Sequence, residues 1–295
     1  MSSARPRLGV VTVTYNSGRV LEDFLRSSLA QTLQDFRIYA IDNASSDDTV
    51  AQLRRVPDPR LVLICNADNL GVAEGNNQGI RRAGEDGCSH VLLLNNDTEF
   101  PADLFESLMA FASGGSHPAV VPKIFFHDHP DRIWCAGGKF LPSRGYAGVH
   151  IGEGEVDSGQ FDRDYVVEYS PTCCMLIDMA VFERVGLMDV KYFVYLDDTD
   201  FCLRLKRAGI PLWYLHSTRL YHKVGSLTGG ETSPFAARMG ARNKVYLMRK
   251  HLGAARIPWY LFKFFCYLFV RRIKGKDSSA IFRIKLKAFA EGLRL

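Results

Sequence analysis

Four short apolar runs, each broken by a loop of Asn, Asp, Ser or Gly, set the strongest limit on what this chain can fold into. Leu8 to Thr14 ends in Tyr15-Asn16-Ser17-Gly18, and Phe36 to Ile41 ends in Asp42-Asn43-Ala44-Ser45-Ser46-Asp47-Asp48-Thr49. Leu61 to Cys65 ends in Asn66-Ala67-Asp68-Asn69-Leu70-Gly71, and His90 to Leu94 in Asn95-Asn96-Asp97-Thr98-Glu99. Between them, Leu21, Phe24, Leu25, Ser28 and Leu29 recur at helical spacing, and Val72 to Ala83 reads as helix despite Gly75 and Gly79. Strand, polar loop and helix in repetition predict right-handed βαβ units and a mostly parallel α/β sheet. In such a sheet the strand ends share one edge, so the four loops can build one pocket. With 295 residues, 47% of them hydrophobic, the chain can bury a large core.

No loop contains G-x-G-x-x-G or G-x-x-x-x-G-K-[ST]. Gly71, Gly75 and Gly79 lie four apart, which fits neither fingerprint and disfavours dehydrogenases and phosphate-loop ATPases. A pocket of carboxylates and amides needs a cation to hold a phosphate. Asn95 and Asp97 fall beyond a strand end, where their oxygens suit a hard divalent ion, Mg²⁺ or Mn²⁺. Alone, Asn95-Asn96-Asp97-Thr98 favours a turn ahead of Pro101; the neighbouring loops shift the reading toward a ligand site.

Together, Val11-Thr12-Val13-Thr14-Tyr15-Asn16, Ile41 to Asp47, Asn69 to Gly79 and Leu94 to Thr98 resemble the family 2 glycosyltransferases. The match is nearest to the rhamnosyltransferase-like branch acting on bacterial surface polysaccharides. The resemblance implies the GT-A fold, with a Rossmann-like nucleotide-binding half over 1–115 and an acceptor-binding half over 116–250. It implies that Thr14, Tyr15, Asn16, Asp42 and Asn43 line the nucleotide pocket, Asp42 accepting from the imide N–H of a uracil or thymine. The local alternative for Asp42-Asn43 is a cap on the helix starting near Asp48. Asn69, Gly71, Asn77 and Asn96 would close the pocket beside the donor sugar. Asn95 stands where the family often has Asp, which leaves Asp97 as the surer metal ligand.

Further along, Pro101 to Ala112 predicts a helix and Ala119 to Phe126 a strand. His127-Asp128-His129 precedes Pro130 and reads as a solvated loop. Trp134 to Gly159 is Gly-rich, as hairpins and irregular loop are. Thr172 to Ile177 reads as a strand, Ala180 to Val185 as a short helix and Pro211 to Leu215 as another strand. In Asp197-Asp198-Thr199-Asp200, three carboxylates in four residues exceed what a helix cap needs, and repulsion should raise at least one pKa. The stretch resembles the family's Glu-Asp-x-Asp segment, which makes Asp198 the catalytic base, with Asp197 in place of the usual Glu. Asp200 and Arg204, four apart, fit a supporting pair. The resemblance also places His222, in Tyr221 to Ser226, on the metal or diphosphate. Arg238, Arg242, Asn243 and Lys244 read as phosphate-neutralising or as a solvated basic face.

The tail, 251–295, reads as basic, amphipathic and helical. From Arg249 to Leu295 there are twelve Lys/Arg against two Asp/Glu, whereas the rest carries 25 against 30. An acidic body argues against nucleic acid as partner. Ile257 to Val270 is too short and too interrupted by Lys263 to span a bilayer; its aromatics beside Arg271-Arg272-Ile273-Lys274-Gly275-Lys276 suit an anionic membrane surface, or packing on the body or in a homodimer. Seven scattered cysteines without C-x-x-C, and a strand-like start rather than a signal peptide, fit the cytoplasm, free or peripheral on the inner face of the membrane. The expectation is therefore an inverting, metal-dependent transferase moving a sugar from a dTDP- or UDP-linked donor to a lipid-linked or growing glycan. A nucleotidyltransferase would need a basic residue for a triphosphate in the first loop, where only Arg19 is offered. A non-catalytic sugar-nucleotide or glycan-binding protein would dispense with Asp198.

Overall fold

A computed structural model describes residues 7–114, 116–225 and 233–295. In order, the first half contains β1 (Leu8–Thr14), α1 (Leu21–Leu29), β2 (Phe36–Asp42), α2 (Thr49–Arg54), β3 (Leu61–Cys65), α3 (Gly71–Glu85), β4 (His90–Leu94), β5 (Thr98–Glu99) and α4 (Leu104–Ser113). Then follow β6 (Ala119–Phe126), β7 (Ile133–Cys135), β8 (Gly138–Leu141), β9 (Ala147–His150), β10 (Tyr165–Val167), β11 (Cys174–Asp178), α5 (Met179–Val185) and α6 (Asp197–Arg207). The chain ends in β12 (Leu212–His222), α7 (Pro234–His251), α8 (Ile257–Ile273) and α9 (Ser279–Gly292).

The main sheet runs β10-β12-β6-β11-β4-β1-β2-β3, with β5 on β12 and β7 on β6. β4, β1, β2 and β3 are parallel, as the repeating pattern predicts. Their register sets Thr14 beside Asp42 and Asp42 beside Cys65, so the polar loops leave from one edge. Alternate residues feed the two faces: Val11, Ile41 and Leu93 enter one core cluster, while Val10, Ala40 and Leu92 enter the other. Both faces are covered, which explains continuous rather than alternating apolar runs.

The glycines spaced by four have a packing role. A Cβ on Gly79 would lie 2.3 Å from Val11 Cγ1, and one on Gly75 2.8 Å from Val13 Cγ1. They let α3 lie directly on β1, and the β1 valines fill the space that side chains would take.

Two elements differ from expectation. α4 begins at Leu104 rather than Pro101: Gln31 accepts from Phe105 N–H and donates to Pro101 O, holding the approach outside the helix. β12 does not stop at Leu215; its pairing with β6 shifts register between Leu215 and Arg219, then continues to His222. The bulge hid the strand behind the polar Ser217-Thr218-Arg219, and the extension sets His222 opposite Thr98. Ser226 lies outside the described residues.

Gly79→Ala tests the α3–β1 contact. In an open helix it would stabilise by about 1 kcal/mol; here it should destabilise by about 1–3 kcal/mol, read as a lower midpoint in thermal unfolding.

Candidate active site

The donor-side loops form a hydrogen-bonded floor. Asp42, 1% exposed, accepts from Thr14 Oγ1 at 2.9 Å, Ser45 N–H at 2.9 Å and Ser45 Oγ at 2.5 Å. That closes a turn onto Ser45, not a cap on α2, whose cap residue Asp48 makes no side-chain capping bond. Asn16, in the left-handed region at φ 51°, accepts from Ser46 N–H. Asn43 donates to Gly71 O and accepts from Asn66, which also pairs with Gln78. Asn69 accepts from Gly71 N–H, and Asn96 donates to Val13 O at 2.6 Å. Asn77 spends both ends of its amide on the Met188 backbone, at 2.9 and 2.8 Å, and so ties α3 to the second half. Tyr15 is exposed at the rim.

The β12 extension brings His222 Nε2 to 3.2 Å from Asp97 Oδ1, with both residues buried. Burial disfavours the imidazolium, but Cys173 and Asp97 outweigh it and push His222 up to about 10. Two ligands at right angles, each about 2.1 Å from a metal, lie about 3 Å apart. A carboxylate oxygen and an imidazole nitrogen at this separation fit adjacent positions around Mn²⁺ or Mg²⁺, provided the cation takes the place of the imidazolium proton. The Asn96 Oδ1 on the same turn is buried without a hydrogen-bond partner among the described residues. Asn95 hydrogen-bonds through its backbone, N–H to Cys173 O and O from Thr98 Oγ1. His127, expected in a solvated loop, lies near Glu99 and Asp23, but Arg26 and Lys223 already neutralise those acids, which disfavours a cation there.

The three acidic residues of α6 have different fates. Asp200 is fully buried; burial alone would raise its pKa, yet the His251 hydrogen bond, Arg204 and Lys250 hold it well below the usual range. Its partners lie at 2.7 Å (His251 Nε2), 2.8 Å (Arg204 Nε) and 2.7 Å (Lys250 Nζ). Asp200 and Arg204 do pair, within a larger network than spacing revealed. Asp197, 4% exposed, is pushed up by burial and then by the charge of Asp198. Asp198 is half-buried; burial raises it, against hydrogen bonds from Thr199 and from Tyr169 Oη at 3.1 Å.

The segment leading into Asp198 is strained. Phe193, Tyr195 and Leu196 have φ of 65°, 66° and 64°, each costing about 1–3 kcal/mol. Phe193 centres a tight γ-turn closed by Val194 N–H to Tyr192 O at 2.7 Å. Two contacts hold it. The Phe193 carbonyl accepts from Val72 and Ala73 N–H at the start of α3. The buried Asn243 amide donates to Tyr192, Val194 and Tyr195 carbonyls at 2.9, 2.8 and 2.8 Å. Arg242 donates to Lys191 and Tyr192 carbonyls, Lys244 to Gly145 O, and Arg238 pairs with Glu291. These four therefore serve internal contacts, neither a phosphate site nor a free basic face.

Sequence reading missed the other wall of this cleft. Tyr169, which holds Asp198, lies 5.9 Å ring to ring from His150; His150 meets Trp134 at 4.7 Å, and Trp134 meets His222 at 4.5 Å. An aromatic surface thus runs from the metal-type pair to the acidic one. Trp and His within a Gly-rich stretch were the available signal; Asn243 was singled out with its basic neighbours, but nothing local marked its hold on the Tyr192–Tyr195 backbone.

The glycosyl transferase family 2 model matches residues 9–186. The chain is 26% identical over 271 residues to the N-acetylglucosaminyl-diphospho-decaprenol L-rhamnosyltransferase of Mycobacterium tuberculosis, covering 85% of this chain and 87% of that protein. It is 25% identical over 251 residues to the dTDP-rhamnosyl transferase RfbF of Shigella flexneri, covering 82% and 79%. In fold it is similar to the mannosyltransferase PcManGT from Pyrobaculum calidifontis, solved with GDP-Man and Mn²⁺, at a TM-score of 0.58 and 15% identity, covering 99% of this chain and 88% of that one. A parallel sheet with its polar loops on one edge, the GT-A architecture of these neighbours and a family match over most of the chain converge: this protein belongs to glycosyl transferase family 2 and is a glycosyltransferase.

Proposed function

We propose that this glycosyltransferase moves rhamnose or a similar sugar, with inversion and with a divalent cation, from a dTDP- or UDP-linked donor to a hydroxyl of a lipid-linked or growing surface glycan. The carrying observation is the placement of Asp198: half-buried, held by Tyr169, in the first turn of α6 directly after a strained turn bonded to the helix α3. The names of the two bacterial relatives support the sugar and the acceptor class.

In this reading Asp198 takes the proton from the acceptor hydroxyl as that oxygen attacks the anomeric carbon from the face opposite the nucleotide. Tyr169 fixes the carboxylate by donating to Oδ2. Asp197 has no described partner for Oδ2, and burial and the charge of Asp198 shift it toward its protonated form, which lessens the negative charge beside Asp198. Asp42 and Tyr15 face the base, and Asn43, Asn69 and Gly71 shape the sugar pocket. Asp97 and His222 would hold the Mg²⁺ or Mn²⁺, with Asn95 beside them; the ion supplies positive charge for the departing diphosphate. Sugar nucleotides place the reaction in the cytoplasm, with the protein peripheral on the inner membrane face through its 251–295 tail.

Calorimetry of dTDP-rhamnose, UDP-galactose, UDP-N-acetylglucosamine and GDP-mannose, with Mn²⁺ and with EDTA, tests the donor. One thymidine or uridine donor should bind only with metal. Asp97→Ala should weaken that binding by at least about tenfold, a loss that removal of a mere supporting residue can produce. Binding that is indifferent to EDTA would refute the metal assignment.

Asn243→Ala tests the turn. It frees three carbonyls and should lower kcat by about 100-fold, the cost of misplacing a reacting group by an ångström. Donor affinity should stay within about twofold, since α7 lies outside the four donor loops; equal losses in both would mean general unfolding.

A further inference from the structure

α8 buries one face and leaves another apolar face open. Leu261, Phe264 and Leu268 point inward, Leu268 being 1% exposed, with Leu261 and Phe264 in the cluster around Val245 and Met248 of α7. The opposite side returns Trp259, Phe262, Phe269 and Ile273 to one face at steps of three, seven and four residues, with Val270 alongside. These are 60%, 59%, 40%, 83% and 44% exposed. The inward face already docks the helix, so the outward face answers a different need.

Charge decides what that need is. At 100° per residue, Arg256 and Lys263 fall on one margin of the apolar face and Arg272 on the other. Lys274 and Lys276 follow, and Arg283 and Lys287 are exposed on α9. None of these seven makes an ion pair among the described residues. The two acidic residues of this region are used internally: Asp277 is held by Arg271 and Lys285, and Glu291 by Arg238. A second copy seated on this face would set Arg256, Lys263 and Arg272 against like charges, with no acidic residue of this region left to pair with them among the described residues. An anionic lipid surface offers the opposite sign, with an acyl boundary for the aromatics and headgroups for the long basic side chains. Among the described residues no helix is long and apolar enough to cross a membrane, so α8 would lie flat.

The β8–β9 hairpin connects this face with the catalytic cleft. At its tip, Ser143 O accepts from Lys263 Nζ at 3.2 Å, and Tyr146 packs, as Tyr260 and Phe264 do, against the cluster of Val245, Met248 and Leu252. At its other end stands His150, beside Trp134 and Tyr169. Four-residue strands separate the two ends by about 13 Å.

We propose that the outward face of α8, rimmed by Arg256, Lys263 and Arg272, docks flat on an anionic bilayer, and that the β8–β9 hairpin holds the acceptor side of the cleft at that surface. The hairpin's relevance to acceptor delivery rests on the sugar-transfer reading; the docking is measured without any sugar.

Co-sedimentation of the full chain with phosphatidylglycerol/phosphatidylcholine vesicles and with pure phosphatidylcholine vesicles tests it. The protein should bind the anionic vesicles, and added salt should release it. Phe262→Ser/Ile273→Ser, at two exposed positions of the outward face, should lose at least about tenfold in vesicle affinity, with thermal unfolding and donor binding as in the parent. Equal sedimentation of parent and variant, or no binding by the parent, overturns the docking. A stable dimer in analytical ultracentrifugation that the double variant abolishes also overturns it, in favour of a second copy. For the hairpin, R144W in a W259F background should be quenched by lipids brominated near the headgroup, beyond the W259F baseline. No added quenching while α8 stays bound overturns the orientation.

Discussion

The Phe193 carbonyl joins the two halves of the site. It takes two N–H groups from the first turn of α3, the helix that also carries Asn77 and the glycines packed on β1. Helix starts leave such donors unpaired, and here a strained turn, not a side chain, satisfies them. From the other side, one buried amide, Asn243, gathers three carbonyls of the same turn. Three residues in the left-handed region persist because both neighbours over-determine them. Asp198 therefore takes its position from the helix bordering the donor pocket and from α7, not from the sheet alone.

Electrostatics then separates three adjacent carboxylates. Asp200 receives all the positive partners and becomes a structural anion that binds α6 to the end of α7. Asp197 receives burial and a like charge, which favour its proton. Asp198 keeps partial exposure and two side-chain donors, a setting for a carboxylate that must gain and lose a proton. One acidic run thus supplies a buried anchor, a carboxyl whose proton is favoured, and the half-buried Asp198 to which the base role is assigned in our proposal.

The parallel half of the sheet was readable because its strands are apolar, the inner ones buried on both faces and the edge strand β3 partly buried, and each ends in a polar loop. Leu8–Thr14 and Leu61–Cys65 match the expected runs end to end. β12 was cut short because a bulge inserts polar residues into a strand, and periodicity cannot carry across it. Asp97 and His222 were brought together on the metal only by the family resemblance; no local pattern joins them, since the bulged extension is what makes them neighbours. Tyr169, Trp134, His150 and Asn243 were illegible for a deeper reason. Each matters through a contact with a residue distant in sequence, and no local pattern marks an Asn that holds another segment's carbonyls.

The central claim is that Asp198 is the base of a sugar transfer whose donor is held elsewhere in the cleft. Its most direct test compares parent and Asp198→Asn under saturating donor with Mn²⁺, measuring nucleoside diphosphate release in the presence of acceptor-containing membranes alongside donor affinity. The account predicts that turnover falls by about 10²- to 10⁴-fold while donor affinity is unchanged. A variant that turns over at the parent's rate would contradict it.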